Sequence, residues 1–213
     1  MELAVTYDSL RRELGRFLGI GRDYTLWTED QESDCEDIIA SGLREFYFPV
    51  SDSGYVWSFL REVGRTRLET DKTIYGLPDD FMGLLSPLTF AASVGNRAVE
   101  RISDDHMRSM QAREEATGAP VYFSLRVKDG NYFLVVFPSP DKAYELEFQY
   151  AIAPVGLSDE SPVPRGATLH AEAILEAILA AAEKTLDDTE QVHAKRFAER
   201  LAASIAIDKA RFG

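Results

Sequence analysis

The spacing of apolar residues changes period twice along this chain, and that order constrains the fold more than any other feature. Near the start, Tyr7, Leu10, Leu14, Phe17 and Leu18 recur at helical spacing, with Thr6 or Asp8 as the cap and Gly15, Gly19 and Gly21 weakening and ending the run. A second helix is expected from about Gln31 to Phe46, with Cys35, Ile38, Ile39, Leu43 and Phe46 facing inward. Pro49 and Ser51-Asp52-Ser53-Gly54 close it. The period then falls to two. Tyr144, Leu146, Phe148 and Tyr150 alternate with Glu145, Glu147 and Gln149, the pattern of a half-buried antiparallel strand. Helical spacing returns with Leu169, Ala173, Ile174, Ala177, Ile178, Ala181, Ala182 and Leu186, breaks at Asp187-Asp188-Thr189, and resumes with Phe197, Leu201 and Ile205.

Between the helical ends, Thr66 to Tyr75 reads as extended. Leu88 to Val94, Ala98 to Ile102, Val121 to Val127, Tyr132 to Phe137 and Ala143 to Ala151 read as strands. Lys128-Asp129-Gly130-Asn131 is a strong hairpin signal, because a tight hairpin turn needs positive φ and Asp-Gly supplies it. Ser103 caps a short helix reaching about Ala116, and Pro154 to Gly166 is a loop. Neither terminal pair of helices buries its stripe alone. The expected fold is therefore α+β: a helical bundle formed by the N- and C-terminal helices (1–64 and 156–213), with an inserted antiparallel β domain (65–155) that carries one short helix.

Composition narrows the function. Lys and Arg number 23 against 36 Asp and Glu, a formal net charge of −13, which disfavours a protein that grips nucleic-acid phosphates over a large surface. Charge of that size still suits a surface past which nucleic acid slides without sticking. No run approaches the ~20 apolar residues of a membrane helix. The start, Met1-Glu2-Leu3-Ala4, has neither a basic nor an apolar leader region, so no signal peptide is expected. A lone cysteine, Cys35, excludes an intrachain disulfide and a cysteine-based zinc site, and a soluble intracellular protein is the expectation.

Motifs of catalysis are sparse. His170-Ala171-Glu172 matches half of a zinc deaminase site, but the Pro-Cys-x-x-Cys half is missing. Glu190-Gln191-Val192-His193 is one Glu-x-x-His step where a di-iron bundle needs two. Gly15, Gly19 and Gly21 lack the Lys-Ser/Thr of a phosphate loop and do not follow a strand. The doublets Asp79-Asp80, Asp104-Asp105 and Asp187-Asp188 sit at turns and helix boundaries, where Asp caps. An enzyme with an unrecognised carboxylate site there remains one reading. No cofactor and no metal are expected.

Two charged stretches stand out. From Asp23 to Asp37 there are seven acids and no Lys or Arg. Asp23, Glu29, Asp30, Glu32 and Asp34 read either as a solvated helix start that favours negative charge or as an acidic face for a channel or a basic partner. The chain's end is basic, with Lys195, Arg196, Arg200, Lys209 and Arg211. The crowded aromatics Phe46, Tyr47, Phe48, Tyr55, Trp57 and Phe59 mark either an internal joint or a subunit interface.

Several stretches in order carry a resemblance. They are Tyr75-Gly76-Leu77-Pro78-Asp79-Asp80-Phe81, Gly118-Ala119-Pro120-Val121-Tyr122, Phe137-Pro138-Ser139-Pro140-Asp141-Lys142-Ala143-Tyr144-Glu145-Leu146, Leu157-Ser158-Asp159-Glu160, and His170-Ala171-Glu172-Ala173-Ile174-Leu175-Glu176. The set, spanning about residues 66–211, resembles head-to-tail adaptor (connector) proteins of tailed bacteriophages, of the tail tubular A layout. The resemblance implies a structural virion protein and not an enzyme. It would be made in the host cytoplasm, form a dodecameric ring beneath the portal protein and extend the DNA channel. It would also offer a platform to a downstream tail or neck protein. Neighbouring adaptor subunits, the portal and the next neck protein would be its partners; DNA would pass through without specific binding, and no membrane is involved. On the same basis Arg196, Phe197, Arg200, Lys209, Arg211 and Phe212 are the candidate portal-facing residues, with Phe212 past the last clear helical turn. Another tail layer, such as a stopper, terminator or nozzle, is the nearest alternative.

Overall fold

The computed structural model describes residues 4–52, 54–91, 98–186 and 191–213. Its helices are α1 (Tyr7–Phe17), α2 (Glu29–Tyr47), α3 (Asp104–Arg113), α4 (Ala167–Thr185) and α5 (Val192–Phe212). Its strands are β1 (Arg61–Leu68), β2 (Ile74–Gly76), β3 (Phe81–Leu84), β4 (Leu88–Phe90), β5 (Ala98–Arg101), β6 (Tyr122–Lys128), β7 (Asn131–Phe137) and β8 (Tyr144–Ile152). The chain divides into two compact units, Met1–Leu60 with Pro154–Gly213, and Arg61–Ala153.

In the first unit, α1, α2 and α5 each pack against α4. Helix α4 is buried on nearly every side, through Ala173, Ile174, Ala177, Ile178, Leu179, Ala180, Ala181 and Ala182. Its alanines keep the helix thin, so neighbours approach closely. Gly42 of α2 lies directly on the backbone of Ile178, where a Cβ would stand 2.5 Å from the Ile178 Cα. The inward face of α2 is Cys35, Ile38, Ile39, Leu43 and Phe46, all buried. Thr6 and Thr28 each cap their helix with a reciprocal box, Thr6 with Ser9 and Thr28 with Gln31.

In the second unit the strand order is β1-β8-β4-β5-β6-β7-β2, with β3 also paired to β8. Strand β8 is the centre. It pairs along its length with β1, from Arg61↔Ala151 to Leu68↔Tyr144. Tyr144, Leu146, Phe148 and Tyr150 point into the core, while Glu145 is exposed. The hairpin β6–β7 turns at Asp129 and Gly130, both at positive φ.

The inserted sheet is not purely antiparallel: β5 and β6 run parallel. Residues 102–121 explain the correction. A parallel pair needs a crossover, and α3 is that crossover. It lays Met107 against Val135 and Phe137 on the way. Two boundaries also differ. Strand β1 starts at Arg61, ahead of the expected Thr66, because its exposed residues are mostly charged and mask the alternation. Phe212 is the last residue of α5 and not beyond it. The break at 187–189, Glu190 and the expected strand beyond Ala91 lie outside the described residues.

Candidate interaction surfaces

The acidic stretch begins at Asp23, whose carboxylate accepts from the Thr25 backbone N–H (3.2 Å) and hydroxyl (2.6 Å) and so shapes the turn 24–26. Glu29, Asp30 and Glu32 follow in the first turn of α2, and Asp34 one turn on. All five acids are exposed and stand together at one end of the helix, where they suit its dipole. Leu26 sits among them, 79 % exposed.

The basic residues of α5 separate on inspection. Phe197 is buried at 8 % exposure and belongs to the core of the first unit, not to a docking face. Lys209 is engaged at home: its ammonium lies 2.7 Å from the Asp52 carboxylate and over the Tyr55 ring. Arg196 is exposed and only 4.0 Å from Glu176, and with Arg200 it lines a groove that also holds Glu176, Glu199 and Ala203. Arg211 is exposed near the chain's end, and Phe212 is 57 % exposed.

Around that end lies an arrangement that sequence reading missed. Asp208 is 1 % exposed. It accepts hydrogen bonds from the Tyr55 hydroxyl (2.5 Å), the Ser58 hydroxyl (2.5 Å) and the Ser58 backbone N–H (2.9 Å). Burial alone would raise its pKa; the bonds from Ser58 and Tyr55 outweigh burial and hold it below the ordinary carboxylate range. His170, 2 % exposed, sits in a box of Phe46, Trp57 and Phe59 rings, with centroids 6.2, 5.0 and 5.7 Å away. Among the described residues its Nδ1 has no hydrogen-bond partner, and burial pushes its pKa down. Beside it opens a cleft of about 290 Å³, lined among others by Phe59, Val163, Leu169, His170 and Phe212. The signal for this arrangement in the sequence was Asp208 itself, an acid at a position where α5 turns inward.

The other singled-out groups have local uses. His170 and the buried Cys35, whose thiol is pushed up to about 11 by burial, stand on different helices with no ligand set around them. His193 Nδ1 lies 2.7 Å from Glu176. Asp104 is held below its ordinary value, first by the Arg126 hydrogen bonds and then by Arg108 and Ser124, against the opposing effect of burial. A carboxylate so fully engaged is a structural anchor and a poor proton carrier. Among the described residues, no group of three or more His, Cys, Asp or Glu is placed to hold a metal. Among the described residues, no helix is long and apolar enough to cross a membrane. Of the six crowded aromatics, Phe46, Trp57 and Phe59 stack on one another within the first unit, the Tyr47 hydroxyl bonds the Arg165 carbonyl, the Tyr55 hydroxyl bonds Asp208, and Phe48 is exposed.

The family model described as SU10 adaptor protein matches residues 5–212, nearly the whole chain. No curated protein matches it.

Proposed function

Since the chain belongs to the SU10 adaptor protein family of bacteriophage head-to-tail adaptors, we propose that it forms a dodecameric ring docked beneath the portal. There it extends the DNA channel and receives the next tail or neck protein. The observation that carries this reading is the family match, which covers both units of the fold. Membership makes it a structural protein of the virion and not an enzyme.

The four helices of the first unit act as one bundle in this reading, with α4 at its axis. The portal face is its exposed cations, Arg196, Arg200 and Arg211. Phe197 is buried and Lys209 is paired with Asp52, so neither serves there. Phe212, next to Arg211 in the chain, stands on the wall of an apolar cleft. The acids at 23–34 form a negative face past which DNA phosphates move without adhesion, or which meets a basic neighbour. A net charge of −13 keeps free copies apart, and docking on the portal raises the local concentration until weak lateral contacts suffice.

Electron microscopy of the portal ring from the same genome, with and without the purified chain, tests the reading. The expected result is an added annular layer of matching rotational symmetry, lost when Arg196 and Arg200 are both changed to Glu. A portal that stays bare sinks direct docking and moves the protein to another neck or tail layer.

A further inference from the structure

Two apolar features stand at the surface of the first unit. One is a knob: Leu26, 79 % exposed at the tip of the turn 24–26, with Asp23, Glu29 and Asp30 on either side. The other is the cleft walled by Phe59, Val163, Leu169 and Phe212, with His170 within it. Phe212, Val163 and Leu169 are each large, apolar and exposed. Three such residues around one concavity are a patch that a soluble chain covers with a partner.

The two features cannot meet within one chain. Leu26 precedes the first residue of α2. Phe46, in the last turn of that helix, touches both Phe59 and His170 of the cleft. Helix α2 has 19 residues, which at 1.5 Å per residue separates its ends by about 28 Å. The knob and the cleft therefore lie at opposite ends of one rigid helix.

We infer that Leu26 of one copy seats in the Phe59–Val163–Leu169–Phe212 cleft of the next copy, a head-to-tail contact between adaptor subunits. The inference rests on the ring reading and names the faces that make it. Size agrees: a cleft of about 290 Å³ takes one branched aliphatic side chain with room for its turn. Charge agrees as well. The knob is ringed by carboxylates, and the exposed Arg211 stands on the helix end next to Phe212 of the cleft wall. A contact that joins two different patches of the same surface propagates from copy to copy and closes when its rotation permits, which is the geometry a ring requires. Burial favours the neutral form of the His170 ring, and the Asp208 carboxylate that also lines the cleft is already bound by Tyr55 and Ser58.

Disulfide trapping tests the contact. Full-length Leu26→Cys and Leu169→Cys chains, differently tagged, are mixed and mildly oxidised, in concentrated solution and on the portal; the native Cys35 is buried and does not compete. Val127→Cys, at an exposed position of β6, replaces Leu26→Cys in the control. The expected product is a mixed 26–169 dimer roughly tenfold above that control, with little 26–26 dimer. On the portal, Leu26→Ala should need a roughly tenfold higher chain concentration to form its layer, as expected for one lost buried leucine. A mixed dimer at the control level both in solution and on the portal overturns the contact, as does a Leu26→Ala chain that forms its portal layer at the same concentration as its parent. A portal that gains its layer without the 26–169 product leaves the adaptor reading standing and removes only this contact. A 26–169 product beside a bare portal does the reverse.

Discussion

Asp208 shows how one residue organises a chain end. A carboxylate removed from water is costly unless its lone pairs are filled, and here three donors from Tyr55 and Ser58 fill them. The bond ties the last turns of α5 to the segment that leads out of the first unit. Asp208→Ala should remove the acceptor of the Tyr55 hydroxyl, the Ser58 hydroxyl and the Ser58 backbone N–H at one stroke. A loss of about 2–4 kcal/mol is expected, read as a lower urea midpoint at unchanged slope. His170 adds a pH dependence of known sign. Burial, first, holds its folded pKa below the ordinary 6.5, aided by Arg211 and opposed by Asp208. The unfolded chain therefore takes up a proton below about pH 6.5 that the folded chain refuses, so this contribution to stability is full above that pH and is lost as pH falls. Asp208, also depressed, adds a loss of the same sign at lower pH, beneath its ordinary 3.8. Replacing His170 by Phe, which suits the aromatic box, should flatten the loss between pH 7 and 5 in urea titrations; an unchanged slope would assign that loss elsewhere.

At the scale of elements, α5 begins without a cap of its own. Gln191 stands in the left-handed region and offers no side-chain bond. Glu183, 2 % exposed on α4, supplies the missing acceptors: its two oxygens receive the N–H groups of His193 (2.8 Å) and Ala194 (2.9 Å). Glu183→Ala should cost about 1–2 kcal/mol and speed amide exchange at His193 and Ala194, while Glu183→Gln should recover part of both. Protection unaltered in the alanine variant would show that the cap is not needed. This cap was invisible in the sequence, because it joins residues on two helices whose packing had to be known first. What was legible is what local chemistry decides alone: the Thr6 cap, the inward stripe from Cys35 to Phe46, the Asp129-Gly130 hairpin and the alternation of β8. The parallel β5–β6 pair was not legible, since direction is a property of the crossover and not of either strand. Among the candidate site residues, helical periodicity marked Phe197 as apolar-face and family likeness marked it as docking; burial decides for the former. Lys209 reads as a free cation until Asp52 is brought beside it.

At the scale of the molecule, the sheet unit is one uninterrupted length of chain, while the helical unit is assembled from both ends of the sequence. The helices therefore hold a fold without borrowing strands from the insert. A chain in which a linker of about five Gly and Ser residues replaces 61–153 should keep a helical circular dichroism spectrum and unfold cooperatively. Loss of the transition would mean that the insert is part of the helical core. The linker can be short for a reason already visible in the sheet. Strand β1 enters and strand β8 leaves as antiparallel neighbours, with Arg61 opposite Ala151, so the two junctions lie side by side, about 5 Å apart at that pair. A segment with adjoining entry and exit behaves as a cassette. Evolution can lengthen it, trade it for another sheet or remodel its far loops by a single recombination event, and the helical host keeps its ends where they were.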